Sequence, residues 1–179
     1  MDDTRRWVAA SGIVEGGTDV SKMLMIYPNK CTGCRNCELA CSFEHGGTFR
    51  PGATRVHTFT WEREGFAVPL MCQQCDDAAC VNVCPTGAMH QGPAGSNLVE
   101  FSQDLCIGCK LCVIACPFGS VRYDSVVKSI AKCDTCAGAP QCVAMCPNGA
   151  LEFVEDAEQT RSRKQVLADK FKTIFEDVN

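Results

Sequence analysis

The sequence predicts an α+β fold in two small lobes, organised by its cysteines more than by an apolar core. Three observations carry that expectation. Sixteen cysteines lie within 179 residues and form four groups of four, with none left over. The groups are Cys31, Cys34, Cys37 and Cys41; Cys72, Cys75, Cys80 and Cys84; Cys106, Cys109, Cys112 and Cys116; and Cys133, Cys136, Cys142 and Cys146. A motif recurs at the group ends: CPTGAM at 84–89, CPFGSV at 116–121 and CPNGAL at 146–151, with CSFE at 41–44 as a divergent copy. Short apolar stretches of strand character follow these motifs.

The first and third groups read C-x-x-C-x-x-C-x-x-x-C, and three of the four groups end in Cys-Pro (Pro85, Pro117, Pro147). That is the ligand spacing of bacterial two-cluster ferredoxins. At four thiolates per cluster, sixteen cysteines predict four [4Fe–4S] clusters. A tight loop with three thiolates can wrap three corners of the cube. Gly33 and Gly108 sit inside the first C-x-x-C of their runs, where a missing Cβ lets the backbone pass close. The fourth cysteine lies about one helical turn further on, roughly 6 Å along an axis. In two-cluster ferredoxins it ligates the neighbouring cluster, so each run staples two clusters together. The expected architecture is therefore two ferredoxin-like lobes, each holding two clusters and passing single electrons.

Other uses of the cysteines fit less well. Structural zinc takes two separated pairs and needs neither the third cysteine nor the fixed fourth offset. A disulfide framework needs an oxidising compartment, and no signal peptide is visible. A C-x-x-x-C-x-x-C triad would require cysteine at 44, 87, 119 or 149, which hold Glu44, Gly87, Gly119 and Gly149.

Length allows one or two small domains. Cys31 to Cys146 leaves about 29 residues around each cluster, too few for an independent apolar core. Ligand bonds must then supply much of the folding free energy. The formal charge of −4 falls to about −12 once four thiolate-ligated clusters are counted, which disfavours nucleic acid. No apolar run reaches the ~20 residues of a membrane span. Thr4-Arg5-Arg6 resembles a twin-arginine signal faintly, but the stretch after it is short and interrupted by Glu15. The expected location is cytoplasmic.

Along the chain, residues 1–22 hold Gly12, Gly16 and Gly17 and few large apolar groups, which suggests a loose arm. Residues 23–155 form the four-cluster domain. Within it, Val56, Phe59 and Trp61, then Phe66, Val68 and Leu70, flank the polar turn Glu62-Arg63-Glu64-Gly65, predicting an inserted β-hairpin. Asn97 to Phe101 reads as a short strand, as do Ser120–Val127 and Ala150–Val154. In each Cys-Pro copy the proline stops a helical turn, the glycine turns the chain and an apolar residue opens a strand. In residues 156–179, Leu167, Phe171, Ile174 and Val178 follow helical spacing, with Val166 and Phe175 beside them. That predicts an amphipathic helix, packed on its own domain or docking a partner.

Several polar residues are candidates for tuning the clusters. Lys30 and Lys132 precede runs, and Arg35 and Lys110 lie inside them; each either offsets cluster charge or is solvated surface. His45, four residues beyond Cys41, could donate to a cluster sulfur. His57 and His90 lack sequence partners, and Trp61 reads as hairpin packing.

The segments CTGCRNCELACSFEH (31–45), PLMCQQC (69–75), CIGCKLCVIACP (106–117) and KCDTC (132–136) resemble the four-cluster iron–sulfur electron-transfer subunits of the dimethyl sulfoxide reductase, formate dehydrogenase and hydrogenase complexes. The first run, with Gly46 and Phe49-Arg50-Pro51 after it, is similar to the short soluble subunits that accompany tungsten aldehyde oxidoreductases and carbon monoxide dehydrogenases. The resemblance covers roughly residues 23–155. It implies nested pairing of the runs. One cluster would take Cys31, Cys34, Cys37 and Cys146, and its neighbour Cys41, Cys133, Cys136 and Cys142. A third would take Cys72, Cys75, Cys80 and Cys116, and the last Cys84, Cys106, Cys109 and Cys112. Spacing alone leaves sequential pairing of first run with second open. The longer loops between Cys75 and Cys80 and between Cys136 and Cys142 should alter hydrogen bonding and solvent access at their clusters.

The resemblance implies an electron-transfer subunit, not catalytic alone, between a molybdenum or tungsten catalytic subunit and a second redox subunit of flavin or NAD type, or a soluble acceptor. A tungsten aldehyde oxidoreductase is the preferred partner. The alternative is a free-standing polyferredoxin or carrier serving hydrogenase, formate dehydrogenase or carbon monoxide dehydrogenase. Self-association into a longer conducting chain is a third reading. No G-x-G-x-x-G dinucleotide fingerprint is present.

Overall fold

The computed structural model describes residues 22–93 and 98–155. The N-terminal arm, apart from Lys22, and the C-terminal amphipathic helix lie outside the described residues. Among the described residues the chain forms eight short strands and four helices. They are β1 (Lys22–Ile26), α1 (Asn36–Gly46), β2 (Val56–Trp61), β3 (Phe66–Met71), α2 (Ala79–Asn82), β4 (Met89–Gln91), β5 (Val99–Phe101), α3 (Leu111–Ala115), β6 (Arg122–Asp124), β7 (Ser129–Ala131), α4 (Gln141–Ala144) and β8 (Leu151–Glu155).

The strands form four separate antiparallel pairs: β1 with β8, β2 with β3, β4 with β5 and β6 with β7. The helices pair correspondingly, α1 against α4 and α2 against α3. Elements from the first and last described stretches thus pair with each other, and those of the middle stretch pair among themselves. β1 was not foreseen from the sequence. It pairs Lys22 with Glu155 through Ile26 with Leu151, closing the chain across nearly its whole described length.

Prolines set the helix lengths. Cys116 precedes Pro117 and is extended (φ −73°, ψ 112°), so α3 stops after five residues. A residue before proline is sterically driven out of the helical region. In the divergent copy Ser42 replaces proline, and α1 runs on for eleven residues. It ends at Gly47, whose φ of 63° lets its N–H reach the Phe43 carbonyl at 2.7 Å.

The hairpin forms where expected, with Val56 opposite Met71 and Trp61 opposite Phe66. Val56, Thr58, Ala67, Pro69 and Met71 turn inward, while Phe59, Trp61, Phe66 and Leu70 stay exposed. The strand expected over Ser120–Val127 is shorter, at Arg122–Asp124. Asp124 explains the difference: its Oδ1 accepts the Val126 N–H at 2.8 Å and the Val127 N–H at 3.3 Å, turning the chain into β7.

Buried side chains fall into two groups. One holds Met89, Val99, Val121 and Ile130 with Cys80 and Cys112; the other holds Val56, Met71 and Leu151 with Cys37, Cys41 and Cys142. Each is small, and cysteine makes up much of it. Burying one such Leu or Met stabilises by about 1.5–3 kcal/mol.

Candidate metal centres

All sixteen cysteines are free thiols, so no disulfide competes for them. The structure gathers them from distant parts of the chain. Cys31, Cys34 and Cys37 line a recess of about 330 Å³ together with Cys146, over which Thr58 and Pro69 of the hairpin lie. A second recess, about 320 Å³, is lined by Cys84, Cys106, Cys109 and Cys112 beside Met89 and Ile130. Cys142 is buried in one core group with Cys41 and Cys37, and the charges of Cys133, Cys41, Cys136 and Cys37 act on its thiol. Cys80, Cys75 and Cys116 share the other core group, and Cys72 acts on the Cys80 thiol. These sets are not isolated, because Gln74, between Cys72 and Cys75, donates to the Cys133 carbonyl at 2.9 Å.

The repeat now has a local explanation. After Cys84-Pro85 and Cys146-Pro147, Gly87 (φ 67°) and Gly149 (φ 60°) fold the chain back. The Met89 N–H then donates to Cys84 Sγ at 3.4 Å and the Ala150 N–H to Cys146 Sγ at 3.2 Å. At the run starts, Gly33 and Gly108 are left-handed (φ 70° and 72°), and the Gly108 N–H donates to Cys106 Sγ at 3.4 Å. Turn conformation, as well as the missing Cβ, is why glycine stands there.

Burial dominates the electrostatics. It pushes the Cys133 thiol up to about 12. It pushes Cys142 up as well, reinforced by Cys133, Cys41 and Cys136. Cys37, Cys80, Cys112 and Cys136 are raised for the same first reason. Thiolates clustered in such surroundings require a cation among them. An iron–sulfide core supplies that charge, and four soft thiolate donors around one recess suit it.

Two thiols go the other way: Cys84, lowered against burial by hydrogen bonds from Met89 and Thr86, and Cys41. Burial opposes its ionisation, but hydrogen bonds from His45 and from the Arg55 N–H (3.3 Å) bring the thiol below its ordinary value. His45 Nδ1 lies 2.9 Å from the Cys41 carbonyl oxygen and 3.8 Å from its sulfur. His45 Nε2 lies 3.1 Å from Asp134 Oδ1, and Arg55 donates to Asp134 Oδ2 at 2.5 Å. The Asp134 hydrogen bond, then the Cys41 side chain, raise His45 to about 10. Sequence singled out His45; nothing in the sequence marked Asp134 or Arg55, which lie 89 and 10 residues from it. Glu38 is a second unmarked residue. It is buried, and its Oε1 accepts the Thr58 N–H at 2.6 Å, tying α1 to β2.

The four basic candidates diverge. Lys30 pairs with Glu152 at 3.1 Å on the surface and lies 4.4 Å from the Tyr27 ring centroid. Lys110 sits 3.9 Å from the Tyr123 ring centroid. Arg35, left-handed at φ 60°, starts α1. Lys132 alone of the four is buried. His57 meets Arg122, and His90 lies 3.7 Å from Glu100. Trp61 packs on Phe66 at 5.6 Å, as hairpin packing requires.

Two family profiles match the sequence: the 4Fe–4S dicluster domain over residues 63–156 and the 4Fe–4S binding domain over residues 28–44. The chain is 37% identical over 118 residues to the probable anaerobic dimethyl sulfoxide reductase chain YnfG of Escherichia coli K12, covering 59% of this chain and 57% of that one. It is 42% identical over 111 residues to the polyferredoxin-like subunit of the aliphatic sulfonate oxidoreductase of Pyrococcus furiosus, covering 62% and 63%. It is 40% identical over 107 residues to the arsenate respiratory reductase iron–sulfur subunit ArrB of Shewanella sp. ANA-3, covering 57% and 44%. The matched stretch spans less than two thirds of each of these relatives. Together with the gathered thiols, the profiles establish [4Fe–4S] clusters as the cofactors of this chain. No helix among the described residues is long and apolar enough to cross a membrane.

Proposed function

The chain belongs to the 4Fe–4S dicluster domain family, and from that premise we propose that it is an electron-transfer subunit of a larger oxidoreductase, holding four clusters. The proposed ligand sets are Cys31, Cys34, Cys37 and Cys146; Cys41, Cys133, Cys136 and Cys142; Cys72, Cys75, Cys80 and Cys116; and Cys84, Cys106, Cys109 and Cys112. When bound, the clusters supply one-electron redox chemistry. The chain's own residues space them, exclude water and donate N–H groups to the ligand sulfurs.

The observation that carries this reading is continuity. Gln74, between Cys72 and Cys75 of one set, donates its Nε2 hydrogen to the carbonyl of Cys133 of the next at 2.9 Å. Sets that adjoin in this way suit conduction, whereas structural metal sites have no need to touch. At the outer sets, Cys34 and Cys109 are exposed, offering two ends for donor and acceptor.

The partner proposed is a catalytic subunit carrying molybdenum or tungsten. Relatives named as chains of dimethyl sulfoxide, arsenate and sulfonate oxidoreductases support a catalytic partner of that general kind. The CSFEHGG stretch at 41–47 and Phe49-Arg50-Pro51 favour a tungsten aldehyde oxidoreductase among them. A flavin- or NAD-type subunit, or a soluble acceptor, would take the electrons at the other end.

Anaerobic purification from the native source tests the whole reading. The expected result is about sixteen irons per chain and a stoichiometric partner containing tungsten or molybdenum. A colourless chain would refute the cofactor count. An iron-loaded chain that always purifies alone would refute the subunit role.

A further inference from the structure

Lys132 is buried, at 5% exposure. Its Nζ donates to Gln74 Oε1 at 3.1 Å, to the Cys133 carbonyl at 2.8 Å and to the Val99 carbonyl. Three acceptors match the three N–H donors of an ammonium, whereas a neutral amine has only two. Gln74 is itself held in place: its Nε2 donates to the Cys133 carbonyl at 2.9 Å and its Oε1 also accepts the Val99 N–H at 2.9 Å. The site is therefore built, and built for a cation.

None of the three acceptors carries charge. A buried ammonium is costly unless an opposite charge stands near it. No ion pair between Lys132 and a carboxylate occurs among the described residues. Its bonds tie it to both inner sets: Lys132 precedes Cys133 and holds its carbonyl, and it holds Gln74, which lies between Cys72 and Cys75. Cys133 belongs to one proposed set, and Cys72 and Cys75 to the other. The ammonium stands where the two inner sets meet.

We propose that Lys132 is the shared internal counter-cation of the two inner [4Fe–4S] clusters, and that its charge sets their potentials where electrons cross between the halves of the chain. This inference rests on the ligand sets proposed above. A loaded set of four thiolates around [4Fe–4S]²⁺ is anionic, and one-electron reduction adds negative charge. A fixed positive charge beside both sets favours the reduced form of each. Lys30 and Lys110 cannot substitute, because they are directed to Glu152 and to the aromatic faces of Tyr27 and Tyr123. Lys132 is a positioning residue for charge, touching no substrate.

The test is an anaerobic redox titration of the loaded full chain, followed by electron paramagnetic resonance. Lys132→Met and Lys132→Gln remove the charge, and Lys132→Arg keeps it. Lys128→Met, in the exposed β6–β7 turn, is the control for loss of surface charge. The neutral variants are expected to retain iron and to lower the one-electron reduction equilibrium of two clusters at least tenfold, 59 mV. Lys132→Arg should stay within threefold of the parent, and Lys128→Met should not move. Fully loaded neutral variants with parental potentials would overturn the proposal. If the neutral variants lose iron while Lys132→Arg keeps it, the need for charge is upheld. Loss of iron in all three would make the role one of packing and overturn it. A parent chain without iron would instead refute the ligand sets themselves.

Discussion

Cys142 is 7% exposed and is buried beside Cys37 and Cys41. A serine there offers a poorer donor for iron at a position that water cannot fill. Cys142→Ser should cost the chain about four irons, one cluster's worth, by colorimetric iron assay of anaerobic protein. Retention of the full complement would remove Cys142 from the ligand sets. Gly33 tests the backbone instead. Its φ is 70°, and an added Cβ would lie 3.1 Å from Thr60 Cγ2 and 3.4 Å from Ala67 Cβ. Gly33→Ala should destabilise by about 1–2 kcal/mol in denaturant titration of the loaded chain. These cysteines and this glycine were legible in the sequence, because ligand spacing and tight turns are local properties. Lys132 was a candidate for cluster tuning from its place before a run, but its burial and that of Glu38 were not legible, since a charged residue declares itself buried only once the rest of the chain has closed over it.

Among the elements, α1 shows how one residue changes a repeat. Ser42 stands where three other copies have proline, so this helix continues and reaches the hairpin. Glu38 makes the joint by accepting the buried Thr58 N–H. Glu38→Ala should destabilise by about 1–3 kcal/mol, the cost of an unsatisfied buried donor. A denaturation midpoint unmoved from the parent would show that the joint contributes nothing. The β6–β7 turn should respond to pH. Backbone N–H groups, Val126 foremost, and the Arg50 and Arg122 guanidinium groups hold the Asp124 carboxyl below its usual range. A depressed carboxyl stabilises above its unfolded value of about 3.9, and that contribution is lost as pH falls through the lower folded value. Exchange protection of the Val126 and Val127 amides is expected to be full at neutral pH and to weaken below about pH 4. Protection that is flat across that range would remove Asp124 as the turn's anchor. The hairpin was readable beforehand from two alternating runs around a polar turn. β7 was not, because it is three residues long and created by the Asp124 turn.

Across the molecule, the described residues form two small cores and four strand pairs, little to hold the chain without its metal. Two long-range polar links join distant parts of the chain, the half-buried pair of Arg50 with Asp124 at 2.5 Å and the exposed contact of Arg122 with His57. An exposed contact of the second kind contributes about 0–1 kcal/mol. Removal of iron by anaerobic chelation should therefore abolish the cooperative melt, followed by circular dichroism. A cluster-free chain that still unfolds in one sharp transition would show that the apolar cores suffice.

Local signals already carry the chemistry: sixteen soft donors at cluster-binding intervals, a repeat that ends helices with proline, and a family resemblance the profiles bear out at the level of the iron–sulfur domain. Those signals lie within a few residues of one another, so no distant contact is needed to read them. Folding alone brings Cys146 into the recess with Cys31, closes β1 against β8 and buries the Lys132 amine against Gln74 and the Cys133 carbonyl. Such features depend on which remote segments meet, and the chain meets itself only when folded.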